Sequence, residues 1–276
     1  MHLGRIGSVF IFLIIIVFQS ACSDISGQKE IRIATSPWIG YSPLIYAFEK
    51  GWLEKENIKL VFSTSLHETI HFHQAGLVDG FTSTQFDVAP LKREELLLFM
   101  PLDRSYDADV ILSNKSLDAL LLDDTVSVYL ELESVNKHLF DAFVKKYDIN
   151  ISKYTVYNKE QITLKNLKSD DAKTMLVVSY EPYASLLRHK GFDQISSAKD
   201  SDTLILDALY LNKKIYDSDK NRLERLKLLI IQAYTVFKDD PDEYYGSVKK
   251  HFEGQSKEEF IKSGQMIDWL IDAKVK

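Results

Sequence analysis

The chain has one cysteine, Cys22, in 276 residues. No internal disulfide can form, so stability has to come from a buried core. No low-complexity segment and no internal repeat stands out, which excludes solenoids and linear arrays. There is no G-x-S-x-G, and the lone cysteine lies near the N-terminus, so nucleophilic catalysis finds little support and no cofactor is expected. Basic residues are outnumbered, 34 Lys and Arg against 40 Asp and Glu, and both signs are interspersed without a basic stripe. That pattern argues against nucleic acid as a partner. No apolar run reaches the roughly 20 residues that span a bilayer.

One apolar run carries information nonetheless. Val9 to Phe18 contains only apolar residues, follows His2 and Arg5, and precedes Gln19-Ser20-Ala21-Cys22. It fits the hydrophobic region of an export signal with a small-residue cleavage site. Cys22 stands where such a segment is cut, and the arrangement resembles a bacterial lipobox, in which the cysteine is lipid-modified and becomes the new N-terminus. Ser20 and Ala21 match that pattern, while Gln19 occupies a position where an aliphatic residue is usual. The alternative is an uncleaved signal anchor with an incidental cysteine. Both readings place the bulk of the chain outside the cytoplasm. On the first, residues 1–21 are a lipoprotein signal peptide and 22–30 are the lipidated cysteine and its tether. Cleavage leaves 255 residues and removes Arg5 but no acid, which takes the net charge from −6 to −7.

From Ile31 to Phe86 a single pattern occurs twice: a short β-type run, a Ser-capped helix, then a Gly stop. The first unit is IRIAT, SPWIGY and a helix from Ser42-Pro43 to Gly51. The second is KLVFST and a helix from Leu66 to Ala75, capped by Ser65 and ended by Gly76, with VDGFTSTQFD following. Each strand delivers the chain into a polar or aromatic loop at its carboxyl end, where ligands bind in open α/β sheets. After Phe86 a helical stretch through Leu91 and Glu94–Glu95 is expected to lead into a strand at Leu96 to Met100. Pro101 to Asp107 reads as polar and irregular, with the crossing from one lobe to another at Asp103–Asp107. Strands follow at Asp109–Ser113, Thr125–Leu130, Tyr154–Tyr157 and Thr174–Ser179, with helices after Ser134 and Pro182. Around Asp200–Asp207 the chain crosses back. The remainder is helical, the last helix carrying Phe260, Ile261, Ile267, Trp269 and Leu270.

Taken in order, IRIATSPWIGYSPLIYAFEKGWLEKENIKL, the Ser65–Glu68 loop, VDGFTSTQFD, SYDADVILS and the Tyr180-Glu181-Pro182-Tyr183 element resemble one family. It is the extracytoplasmic solute-binding proteins of ABC importers, in the branch serving alkanesulfonates, taurine, nitrate and thiamine-precursor pyrimidines. The resemblance implies a two-lobed α/β fold of the periplasmic-binding-protein type (type II-like), with mostly parallel sheets, flanking helices and a ligand cleft between the lobes. Lobe 1 would be residues 31–104 plus 207–276, and lobe 2 residues 105–206. By position it places ligand contacts at Trp38 and Tyr41, at Ser65 to Glu68, at Ser83, Thr84 and Gln85, in the Glu131–Ser134 loop and at Glu181. Tyr180 replaces the Trp usual in this element. Some relatives of the fold build the thiamine pyrimidine with a cysteine-rich segment that is absent here, so that activity is not carried over.

The chemistry of these residues fits capture of a small molecule. Trp38 and Tyr41 can stack on a planar ligand and attract an amine through cation–π contact; Trp38 equally suits a core. Ser83 and Thr84 lie where a strand passes into a helix. Ser134 reads as a helix cap as readily as a contact. Sulfonate and nitrate need positive groups, yet besides Arg104 the candidate loops offer almost none. They offer Glu68, Asp107, Glu131, Glu133, Glu181 and Asp207, which leans the ligand towards a cationic or nitrogen-rich molecule. The expected partners are that ligand, an ABC permease, and the membrane through the N-terminal lipid; a sensory adaptor docking on a membrane receptor is the alternative. His67-Glu68-Thr69-Ile70-His71 also matches the H-E-x-x-H zinc-protease signature. Ser65 and Glu68 form a capping box that engages the same carboxylate, so no catalytic residue is assigned and His67 and His71 remain metal candidates only.

Overall fold

A computed structural model describes residues 29–91 and 94–271, and the expected export signal and Cys22 lie outside the described residues. Short β-branched runs and capped helices alternate along it. Strands β1 (Ile31–Thr35), β2 (Ile58–Phe62), β3 (Gly80–Thr84) and β4 (Leu96–Ser105) begin one sheet. Strands β5 (Asp109–Ser113), β6 (Val126–Leu130), β7 (Thr155–Asn158), β8 (Thr174–Tyr180) and β9 (Asp193–Ser197) make a second, after which β10 (Ile205–Asn212) and β11 (Ile267–Trp269) return to the first. The orders are β11-β4-β10-β3-β1-β2 and β7-β6-β8-β5-β9.

The sheets are mixed, where mostly parallel ones were expected. β1 runs parallel to β2 and β3, and β6 to β7 and β8, but β10, β11 and β5 pair antiparallel with their neighbours. The reason is topological. A strand that enters a sheet from the other lobe starts at the edge where the parallel strands finish. Asp207 near the start of β10 therefore sits opposite Thr84 at the end of β3, and Asp109 at the start of β5 sits opposite Tyr180 at the end of β8.

Helices α1 (Ser42–Glu49), α2 (Leu66–Gln74) and α3 (Gln85–Val88) follow the first three strands, and α4 (Leu117–Leu122), α5 (Val135–Lys146), α6 (Gln161–Leu164) and α7 (Tyr183–Arg188) flank the second sheet. The chain ends in α8 (Lys213–Ser218), α9 (Lys220–Asp239), α10 (Pro241–Val248) and α11 (Lys257–Gln265). The caps are those the sequence announces: Ser65 accepts from the Glu68 N–H at 3.2 Å and Ser134 from the Asn136 N–H at 3.2 Å. Gly76 closes α2 with φ +69°, a left-handed turn that side chains resist. α10 covers α1: Tyr244 stacks on Tyr46 at 4.6 Å between ring centres and its hydroxyl donates to Ser42 Oγ at 3.0 Å.

Several segments differ from expectation. α3 stops at Val88, because Pro90 has no N–H to offer the Phe86 carbonyl. β4 runs on through Pro101 to Ser105, where an irregular stretch was expected. Its register against β10 slips at Leu102, since Asp103 pairs with Asp207 and Pro101 with Ala208, and a bulge tolerates the missing proline donor. Segments 106–108 and 198–204, rather than Asp103–Asp107 and Asp200–Asp207, join the strands of one sheet to those of the other. Finally, Ile267 to Trp269 form the edge strand β11 on β4 instead of continuing a helix. Among the described residues no helix is long and apolar enough to cross a membrane.

Candidate functional site between the two sheets

The carboxyl edges of the two sheets face one another across a narrow cavity. Trp38, Leu66, Thr84 and Asp207 line it from the first sheet's side, and Asp109, Val135 and Tyr180 from the second's. Each arrives by a local rule. Trp38 opens the short 3-10 turn Ile39–Tyr41 after β1, Thr84 caps α3, and the Leu102 bulge sets the aim of Asp103. The enclosed space has room for little more than a water molecule, so a larger guest requires the walls to part.

Its floor is acidic. The Trp38 indole N–H donates to the Asp103 carboxyl at 3.2 Å, and the Tyr41 hydroxyl donates to Asp207. Asp103 and Asp207 are direct partners across β4 and β10, with exposures of 0% and 2%. Burial pushes both carboxyls well above the usual range, and the Asp103 and Asp109 charges push Asp207 further. Burial also raises Asp109 to about 7 and Glu131 to about 7, against their hydrogen bonds. Asp87 is raised by burial to about 6, although it accepts from Thr84 and from the Val135 N–H at 3.1 Å. Among the described residues no Lys, Arg or His forms a hydrogen bond or ion pair with any of these carboxyls. Glu131 accepts from the Gln161 N–H at 2.9 Å through Oε1, while Oε2 is buried without a partner.

The expected contacts divide accordingly. Trp38, Tyr41, Thr84 and Asp207 meet at the cavity or on its floor. Ser83 is fully buried beside it, with its hydroxyl outside hydrogen-bond geometry. Glu131 and Ser134 lie at the α5 end, where Ser134 caps the helix and donates to the Glu131 carbonyl at 3.2 Å. Gln85 instead ties α3 to the returning crossing, donating to Leu204 O at 2.6 Å and accepting from the Leu206 N–H at 2.7 Å. Asp107 belongs to the other crossing, where Ser197 donates to it at 2.7 Å and Lys199 stands 3.9 Å away. Glu68 holds its own helix start, accepting from the Thr64 N–H at 2.7 Å and from the Thr64 hydroxyl at 3.0 Å. Glu181 is buried and saturated: Arg188 donates at 2.6 Å, the Ser185 hydroxyl at 2.7 Å and Gln255 at 3.0 Å.

Asp109 and Asp103 are not among the expected contacts, Asp103 being expected in a crossing. The available signal was a carboxylate inside or opening an otherwise apolar strand, as in DVILS.

No protein-family model matches the sequence, and no curated protein is similar to it. Solved structures are similar in fold. The ligand-binding component of an ABC-type import system from Staphylococcus aureus superposes with a TM-score of 0.68 at 16% identity, over 88% of this chain and 85% of that one. The periplasmic aliphatic sulphonate binding protein SsuA from Escherichia coli gives 0.68 at 12% identity, over 87% and 84%. The periplasmic nitrate-binding protein NrtA from Synechocystis gives 0.61 at 12%, over 86% and 70%.

This chain has the periplasmic-binding-protein fold. In that fold the acidic cavity lies between the two sheets, where its lining is shared by both.

Proposed function

We propose that this protein is an exported solute-binding protein that closes two lobes on a cationic or nitrogen-rich small molecule and delivers it to an ABC importer. The lobes are built on the first sheet, with strands between 31–105 and 205–269, and on the second, with strands between 109–197, joined by segments 106–108 and 198–204. The likeness to import-system binding proteins supports the transport role, and the export signal with Cys22 supports lipid anchoring at the outer face of a membrane. Function here is capture without chemistry: ligand draws the lobes together only by as much as it prefers the closed form.

One observation carries the ligand class. Among the described residues the buried carboxyls at Asp103, Asp109 and Asp207 have no cationic partner, and the cavity wall beside them is the aromatic pair Trp38 and Tyr180, in edge contact at 5.9 Å. A protonated amine or amidine would ionise the carboxyls, satisfy them and lie against the rings. An anion would find no cation here to balance its charge and would oppose ionisation of the carboxyls.

Calorimetric titration of the purified protein with diamines, amidines, aminopyrimidines, sulfonates and nitrate tests this. Saturable binding confined to the nitrogen bases is expected. Binding of sulfonate or nitrate at comparable strength would overturn the ligand class and leave the transport role standing.

A further inference from the structure

A second group of donor atoms lies outside this cavity, in the groove between α2 and the start of α5. His67 and His71, one helical turn apart on α2, bring their Nε2 atoms within 2.7 Å of each other. From the facing loop, Glu133 places Oε2 at 3.3 Å from His67 Nε2. His138 completes the imidazoles of the groove, stacked on Phe86 at 4.3 Å.

We propose that His67 Nε2, His71 Nε2 and the Glu133 carboxylate bind one divalent transition-metal ion of the zinc type, which ties the two lobes together at the mouth of the cleft. The electron count favours it. A neutral imidazole carries one N–H, so His67 Nε2 cannot satisfy both the facing imidazole nitrogen and the facing carboxylate. The group presents more lone pairs than protons, which a Lewis acid resolves. Geometry agrees as well. Metal–ligand bonds of about 2.0–2.1 Å at tetrahedral angles put neighbouring donors roughly 3.3 Å apart. The His67–Glu133 spacing already has that value, and the two imidazoles need to separate by about 0.6 Å on the same reckoning.

Among the described residues no three such side chains stand in a finished coordination shell, so ligation requires side-chain rotation. The side chains are free to rotate: 43% of His67 and 76% of Glu133 are exposed. Lys137, the cation lining the groove, is held 2.6 Å from Asp141. Glu68 stays with Thr64 at the start of its own helix. The donor set of two imidazoles and a carboxylate suits zinc, cobalt or nickel rather than magnesium or calcium.

The test is a titration of the tag-free full chain with zinc chloride by calorimetry, and with cobalt chloride by visible absorption. Scattering before and after zinc would report the radius of gyration. Expected are one ion per chain, the absorption bands of four-coordinate cobalt, and a zinc-induced contraction. His67→Ala, His71→Ala and Glu133→Ala should each weaken binding at least tenfold, while His189→Ala, which pairs with Glu259 and does not line the groove, changes it less than twofold. Absence of saturable binding, or binding unchanged by His67→Ala and His71→Ala, would overturn the site. Binding lost with the histidines yet untouched by Glu133→Ala would overturn the bridge. None of these outcomes depends on which solute occupies the cavity.

Discussion

Gly40 lies against Asp103 so closely that a Cβ built on it would fall 1.7 Å from Asp103 Oδ2 and 2.7 Å from the Trp38 indole nitrogen. The glycine is needed for this approach, not for its backbone angles. It lets the turn after β1 settle directly on the bulged strand β4, and so holds the indole to the carboxyl. Gly40→Ala is expected to push the two apart, costing about 1–3 kcal/mol of stability as overpacking does. A urea melt reads the loss, and a nitrogen-base ligand should bind at least tenfold more weakly to the variant that still folds.

Asp207→Asn removes one of two carboxyls that face each other across β4 and β10, while leaving Tyr41 an oxygen to donate to. The ligand-free protein should melt at an equal or higher temperature near neutral pH, since a carboxyl that folding forces to hold its proton is gone. Affinity for a cationic ligand should fall tenfold or more, the equivalent of losing a charge-assisted hydrogen bond of about 1.5–3 kcal/mol. Calorimetry on the variant beside the parent checks both. An unchanged affinity would remove Asp207 from the site.

The raised carboxyls make a pH signature with a definite sign. Asp109 and Glu131 at about 7 and Asp87 at about 6 keep protons in the folded state that the unfolded chain has already released. Folding is therefore favoured at low pH and loses that contribution as pH rises from about 4 through 7. Each group contributes on the order of a few kcal/mol at most, at about 1.4 kcal/mol per pH unit of difference. Melting of the ligand-free protein should occur at higher temperature at pH 5.5 than at pH 8. A cationic ligand reverses the preference: its affinity should rise over the same interval, with proton release measurable in buffers of different ionisation enthalpy.

Glu181→Ala should act on stability rather than on ligand affinity. The carboxylate is fully engaged by Arg188, Ser185 and Gln255, and its removal leaves a guanidinium and an amide without their acceptor. A loss of about 3–5 kcal/mol is expected, as for breaking a buried ion pair from one side. Affinity measured on the folded fraction should stay within about twofold of the parent. A selective loss of affinity with stability intact would return Glu181 to the ligand site.

Cys22→Ser tests the anchor. If Cys22 is lipidated, the substitution should release the protein from membranes into the soluble extracytoplasmic fraction, as followed by fractionation. Membrane retention of the variant would favour the uncleaved signal anchor.

Much of the fold was legible because its signals are local. Ser65, Ser134 and Gly76 sit where caps and stops were read, and DVILS becomes β5 residue for residue. The resemblance puts Trp38, Tyr41 and Thr84 in loops after strands and the charge pattern adds Asp207; the structure brings the four to one cavity or its floor. The residues misplaced are those whose role depends on a distant partner. Gln85 and Asp107 look like cleft residues in sequence, yet each is spent on a crossing segment. Ile267 to Trp269 have helical neighbours, yet the free edge of β4 makes them a strand.

The sequence by itself determined the alternation of strands and capped helices, the apolar run Val9–Phe18 ahead of them, and an excess of carboxylates over cations in the loops. Those are properties of composition and short-range spacing. Only the tertiary structure decided that β10 and β5 run against their neighbours, that Asp103 lies opposite Asp207, and that His67 faces Glu133. Such meetings join residues from 65 to more than 100 positions apart, as with Trp38 and Asp103 or Asp103 and Asp207. They follow from where the chain re-enters each sheet, which no local pattern encodes.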